Sequence, residues 1–272
     1  MEGIVFGESP RWHDERLWFS DWGAHQVIAL DPENGSHEVV VTVPSFPLCI
    51  DFLPDGRLLV VDSAQRRILR REPDGSLVEH ARLAAVADKP WNEIVVDDRG
   101  NAYVNSIGFE FPGGDFAPGL IAFVTPAGEV GQVADDLAFP NGMAISPDGS
   151  TLIVAESYAN RLTAYDIGGD GALGGRRVWA ETPGDHPDGI CLDAEGAVWY
   201  ADVANQRCVR VREGGAVLAT ADTDRGAFSC ALSRGRDPRL FVVGQAWGGP
   251  GAPGPSGQVV AFPAPAPGAG RP

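Results

Sequence analysis

One layout recurs six times along this chain: a turn, a β-rich run, a short polar loop and a second β-rich run. The first runs are LWFSD (17–21), LLVVDS (58–63), AYVNS (102–106), TLIVAES (151–157), VWYAD (198–202) and LFVVG (240–244). Their partners are QVIALD, RILRRE, LIAFVT, RLTAYD, RCVRVR and QVVAFP. β-Branched and aromatic residues alternate at period two and no long 3.6-residue pattern appears, so the repeat is made of strands. Turns precede most copies: PDG at 54–56, DDRGN at 97–101, PDGS at 147–150 and DAEG at 193–196. Their Asp, Asn and Gly supply the backbone angles of tight hairpins. A repeat of about 40 to 50 residues built only of short strands is the signature of propeller blades, and the expected fold is an all-β, six-bladed β-propeller.

The two ends of the chain fit a single ring. The sixth copy has an inner run (228–233), then LFVVG and QVVAFP, and then PAPAPGAGRP, where proline lacks the ladder donor. A fourth strand is missing there, and the segment Met1 to Phe6 ahead of the first copy can fill that edge. The expected organisation is one propeller over 1–262 with ring closure by the N-terminal strand, a long Gly/Pro loop at 248–257 inside the last blade, and a Pro/Gly-rich disordered tail at 263–272.

Composition narrows the partners. Asp and Glu outnumber Lys and Arg 37 to 21, and the formal charge of −16 opposes binding to phosphate backbones and anionic membranes. Arg66, Arg67, Arg70, Arg71, Arg207, Arg210 and Arg212 fall in strand repeats and read as solvated faces. A small-molecule substrate is expected, with no nucleic acid and no membrane, on a monomer or small homo-oligomer. Cys49, Cys191, Cys208 and Cys230 contain no C-x-x-C pair and read as buried thiols of a reducing compartment. No basic and apolar leader opens the chain, and no apolar stretch reaches the roughly 20 residues of a membrane span, so a soluble cytoplasmic protein is expected.

A polar position recurs in register with the turns. Asn92, Asn141 and Asp188 each precede the turn glycine (Gly100, Gly149, Gly196) by eight residues, and Glu8 precedes Arg16 by the same count. Each lies at the start of an innermost strand, with Pro10, Pro90, Pro140 or Pro187 nearby. Innermost strands surround the propeller axis, so equivalent positions converge on one point. The count from Gly56 lands on Leu48, and the sixth copy offers Ser229 or Phe228. Four oxygen-bearing side chains with two negative charges and no clustered His or Cys suit a hard divalent cation, Ca²⁺ first, with Mg²⁺, Mn²⁺ and Zn²⁺ as alternatives. The plainer reading takes Asn141-Gly142 and Asp188-Gly189 as turn dipeptides and Glu8 as a surface carboxylate. Turn residues have no reason to recur in register at successive inner strands.

At these residues the sequence resembles the SMP-30/gluconolactonase/LRE-like family of six-bladed propellers, which includes metal-dependent lactonases. The resemblance runs from about Phe6 to Phe262 and is carried by GESPRW (7–12), PWNEIVVDDRGNAYV (90–104), FPNGMAISPDG (139–149) and HPDGICLDAEG (186–196). It implies metal-ligand roles for Glu8, Asn141 and Asp188, and a metal or substrate contact for Asn92. Sugar-lactonase members commonly carry an Arg where this chain has Pro90, which points away from a sugar-acid lactone. Leu48 and Cys49 near the axis, with Trp91, Phe109, Phe139 and Trp247 at the rim, suit a less polar lactone or ester.

The implied chemistry is lactone hydrolysis, with Lewis-acid activation of the carbonyl and a water activated by a carboxylate. Asp188 is the expected base; His186 is its alternative and, with Asn92, Trp91 and Phe109, an expected substrate contact. Ser9 and Ser229 have no visible His-Asp set and no G-x-S-x-G elbow, which argues against a covalent nucleophile. The rival readings are a non-catalytic propeller stabilised by its metal, and a related metal-dependent ester hydrolase, phosphotriester hydrolase or isomerase.

Overall fold

The computed structural model describes residues 1–247 and 255–269. Most of the loop expected at 248–257 therefore lies outside the described residues, as do 270–272. Among the described residues, six antiparallel sheets of four strands each form the blades of a propeller. Numbered from the N-terminus, the blades have as innermost strands Gly7–His13, Leu48–Phe52, Trp91–Val96, Pro140–Ile145, Pro187–Leu192 and Gly226–Leu232.

The turns form for the reason their sequence gives. Gly56, Gly100, Gly149 and Gly196 all have positive φ, between 70° and 83°. The aspartate ahead of each ties the loop; Asp148 Oδ1, for example, accepts from Ser150 N at 3.0 Å and Ser146 Oγ at 2.6 Å. In blade 1, where Arg16 replaces the glycine, Asp14 and Glu15 carry the positive φ angles instead.

Ring closure is made as expected. Blade 6 takes its outer strand from Glu2–Ile4, which pairs antiparallel with Gly257–Pro263 at Glu2↔Gln258 and Ile4↔Gly257. Met1 reinforces the seam: its amino group donates to Val259 O at 3.1 Å and its carbonyl accepts from Val259 N at 2.9 Å. The cores lie largely between facing sheets, as where Leu17, Phe19 and Ile28 of blade 1 pack with Ile4, Phe241 and Val243 of blade 6.

The C-terminal segment departs from the expected disordered tail at 263–272. Pro263 ends a strand, and residues 264–269 cross the seam between blades 5 and 6. Ala194 N donates to Pro267 O at 2.8 Å, Gly268 N to Ser233 O at 2.9 Å and Ala269 N to Leu192 O at 3.0 Å. Proline lacks a donor but keeps its carbonyl, and the intervening Ala and Gly provide the amides.

All four cysteines are free and buried, with the Cys191 and Cys230 sulfurs 3.6 Å apart. Among the described residues no helix is long and apolar enough to cross a membrane.

Candidate functional site

The inner strands share an irregularity that the sequence alone hides. In blades 1, 3, 4, 5 and 6 each slips by one residue against its neighbour, whereas in blade 2 the ladder from Leu48↔Asp62 to Phe52↔Leu58 is regular. A bulge re-aims the side chain it carries. Asn92 is the extra residue of blade 3, Asn141 and Asp188 sit within the slips of blades 4 and 5, and Glu8 is the last paired residue before that of blade 1. All four line one pocket of about 620 Å³. Blade 6 puts Phe228 at its bulge, which also faces the pocket; blade 2, without a bulge, leaves Leu48 fully buried outside it.

Asn141-Gly142 and Asp188-Gly189 are thus not turn dipeptides: neither glycine has positive φ. Each is a point of close approach. A Cβ on Gly142 would sit 2.5 Å from Asp188 O and Ile190 N, and one on Gly189 would sit 1.8 Å from Ser229 Oγ. The glycines let neighbouring inner strands meet near the axis and so bring successive polar side chains together.

The two asparagines also hold each other. Asn92 Nδ2 donates to Asn141 Oδ1 at 3.0 Å, and Asn141 Nδ2 to Ser157 Oγ at 3.3 Å. Ser157 Oγ in turn donates to Pro187 O at 2.7 Å, and Asn105 Nδ2 to Asn141 O at 2.6 Å. Burial, and then the charges of Asp188 and Glu93, pushes the Glu8 carboxyl well above its usual range. Asp188 is raised by burial and by Glu93, against a hydrogen bond from Asn141. Glu8 and Asp188 thus put two carboxyl groups into a pocket whose lining, among the described residues, holds no Lys or Arg, a setting that would suit a cation. Among the described residues no three of His, Cys, Asp and Glu converge; Glu8, Asp188, Asn92 and Asn141 offer two carboxyls and two amides to the pocket, hard oxygen groups.

A second polar group associated with the site escaped sequence reasoning. Glu93 accepts from Ser9 Oγ at 3.0 Å and Arg11 Nη2 at 2.9 Å, Arg11 Nη2 also reaches Ile94 O at 2.7 Å, and Arg11 Nε lies 3.6 Å from Asp51. Cys49 Sγ donates to Asn92 O. Arg11, Asp51 and Glu93 are nearly fully buried, so this network braces the inner strands of blades 1, 2 and 3. A signal existed: Ser-Pro-Arg follows Glu8 and Glu93 follows Asn92 directly.

The expected substrate contacts divide. His186, Phe139 and Trp247 line the pocket with Asn92. Trp91 does not: it is fully buried in the core beside Ile94 and Leu83, because it precedes the Asn92 bulge and stays in the ladder opposite Ser106. Phe109 does not line it either; it packs behind, 5.7 Å from Phe139 and 6.3 Å from Phe111 between ring centroids. Phe228, one of the two residues offered by the sixth copy, also lines it, and the aromatics beyond those expected include Phe6, Trp22, Phe46, Phe111 and Tyr158. His186 Nδ1 lies 3.0 Å from Ser157 O and 3.1 Å from Asn160 Nδ2.

A six-bladed propeller with oxygen-bearing side chains gathered on its axis beneath an open pocket defines the class. The chain belongs to the SMP-30/gluconolactonase/LRE-like family, whose model matches residues 6–245. It is 27% identical over 223 residues to a 6-deoxy-6-sulfogluconolactonase of Pseudomonas putida, covering 79% of this chain and 74% of that one. It is 30% identical over 168 residues to a diisopropyl-fluorophosphatase of Loligo vulgaris, covering 54% and 52%. A gluconolactonase structure from Xanthomonas campestris superposes with a TM-score of 0.79 at 25% identity, covering 97% of this chain and 88% of that one. The protein is a lactonase-like hydrolase of this family.

Proposed function

We propose that the chain opens lactone rings at its axial site with the help of a divalent cation, Ca²⁺ by the hardness of its donors. The observation that carries this is the coincidence, in four blades, of an oxygen-bearing side chain with an inner-strand slip at the floor of one pocket. Glu8, Asn92, Asn141 and Asp188 would hold the ion, which when bound supplies Lewis-acid polarisation of the scissile carbonyl.

Asp188 takes the proton of a water whose oxygen bonds to the carbonyl carbon. The ring C–O bond then breaks, and the departing ring oxygen takes up a proton to give the hydroxy acid. Asn92 and Asn141, fixed by each other and by Ser157, keep the floor in register. His186 is the rival base. Its Nδ1 donates to the Ser157 carbonyl in one tautomer, which leaves Nε2 as the acceptor. A pocket open above these groups favours catalysis over a closed, purely structural ion.

The test is acid release from a lactone panel by protein supplied with Ca²⁺. Asp188→Asn and Glu8→Gln are expected to lose at least about 10³-fold in kcat while still unfolding cooperatively, and a chelator to abolish turnover until Ca²⁺ is restored. Turnover surviving in both variants or in chelated protein refutes the proposal. A His186→Gln variant that loses as much as Asp188→Asn moves the base to His186. The likeness to a diisopropyl-fluorophosphatase supports a second reading, phosphotriester hydrolysis at the same floor, read out as fluoride release from a dialkyl fluorophosphate.

A further inference from the structure

We infer that this pocket is built for neutral substrates with an apolar body and selects against polyhydroxylated and anionic lactones; the inference rests on the hydrolase reading above. The sixth inner strand carries it. Its bulge aims a side chain into the pocket as those of blades 3, 4 and 5 do, and that side chain is Phe228 rather than an oxygen donor. Phe228 begins a continuous aromatic wall, with ring centroids 5.0 Å from Phe6 and 5.5 Å from Trp247, and Phe6 lies 5.2 Å from Trp22 and 5.9 Å from Phe46. Blades 3 and 4 supply a second wall, in which Phe139 stacks on Tyr158 at 4.8 Å.

Charge points the same way. Among the described residues lining the pocket there is no Lys or Arg, and the formal charges are those of Glu8 and Asp188. A divalent cation at the floor would offset those two and leave nothing for an anionic substituent, whose burial without a partner is costly. Away from the floor and the aromatic walls, the polar side chains for a sugar ring's hydroxyls are, among the described residues, confined to Ser157, His186, Gln245 and Ser256, and Ser157 already donates its hydroxyl to Pro187 O. At the mouth, Phe46, Tyr158 and Trp247 remain 51%, 50% and 43% exposed. Large aromatics clustered in that state around a cavity mark a surface that binds apolar matter.

Three six-membered lactones separate the alternatives: δ-valerolactone, δ-decalactone with its added pentyl chain, and glucono-1,5-lactone. A fully buried methylene is worth about fourfold. Five carbons in a pocket open on one side give an expected rise in kcat/KM of about 30-fold from δ-valerolactone to δ-decalactone. δ-Decalactone is expected to exceed glucono-1,5-lactone by at least about 100-fold. Phe228→Ala should cut the decalactone-to-valerolactone ratio at least about fivefold, and Trp247→Ala at the rim serves if that variant fails to fold.

A second readout needs no turnover. δ-Decalactone should quench the tryptophan fluorescence of chelated protein through Trp22 and Trp247, at lower concentration than glucono-1,5-lactone does. Glucono-1,5-lactone turned over as well as δ-decalactone overturns the inference and leaves the hydrolase reading standing. If none of the three is hydrolysed, the lactone-opening reading falls and fluorescence decides: selective quenching by δ-decalactone upholds the apolar pocket, and equal or absent quenching overturns it.

Discussion

Replacing Gly142 by alanine adds a single methyl group at the contact between the inner strands of blades 4 and 5. Its Cβ would lie 2.5 Å from Asp188 O, 2.5 Å from Ile190 N and 2.8 Å from Gly189 Cα. Non-bonded carbon needs about 3.5 Å, so the strands must part by roughly 1 Å. All three neighbours are backbone, and no side chain can swing away to relieve them. Overpacking of this kind costs about 1 to 3 kcal/mol, or roughly 2 to 5 °C in Tm for a chain of this size. Because the displaced strand carries Asp188, a shift of that order should also lower kcat/KM about 10²-fold and weaken Ca²⁺ binding.

Gly131→Ala is the control: no atom lies within 4 Å of its Cβ and its φ is ordinary, so it should raise stability by about 0.4 to 1 kcal/mol. The assays are thermal unfolding and calorimetric Ca²⁺ titration of both variants. A Gly142→Ala protein with the Tm and Ca²⁺ affinity of the parent would refute the claim that backbone contact between these blades sets the geometry of the site.

Arg11→Met removes the cation beside the buried carboxylates of Glu93 and Asp51; urea unfolding should show a loss of about 3 to 5 kcal/mol, and a loss under 1 would contradict the bracing role of this network. Glu156 supplies a pH test. Burial raises its pKa, but hydrogen bonds from Ala138 N and Thr163 and the charge of Arg161 outweigh burial and leave it below the usual value. A depressed carboxyl contributes stability that is full above its unfolded pKa of about 4.5 and is lost as pH falls through the folded value. Glu156→Gln should therefore differ most from the parent above pH 5, and the gap between their unfolding midpoints should narrow on acidification; a gap independent of pH would refute it. Ile4→Ala, at a side chain 1% exposed in the closing strand, should cost about 2 to 5 kcal/mol by urea unfolding, and a cost below 0.5 would mean that the clasp adds little.

The blades were legible because period-two runs and PDG-type turns are local, and ring closure followed from counting strands against prolines. The four floor residues were legible because the repeat converts sequence register into spatial equivalence. What stayed hidden depends on the bulges. Trp91 and Asn92 are adjacent, and without the slip in blade 3 nothing in the sequence says which of them faces the pocket and which the core. The Glu93–Arg11–Asp51 group joins three blades, a contact that no single repeat predicts. Tyr158, which follows its blade's second strand, lacks the inner-strand register that revealed the others. In the C-terminal segment the proline pattern reveals only missing donors, whereas the Pro267 carbonyl and the Gly268 and Ala269 amides make its backbone contacts at the seam.

The clasp of Glu2–Ile4 on Gly257–Pro263 also orders events in time. A chain made from its N-terminus offers Asn92, Asn141 and Asp188 in sequence as blades 3, 4 and 5 emerge, while Glu8, four residues beyond the clasp, waits beside an open gap. Only when the strand ending at Pro263 leaves the ribosome can blade 6 fill that gap and lock Glu8 opposite its partners. A ligand that gripped Glu8 and Asp188 together would act as a hoop across the closing blade and resist the parting of the two strands of the clasp.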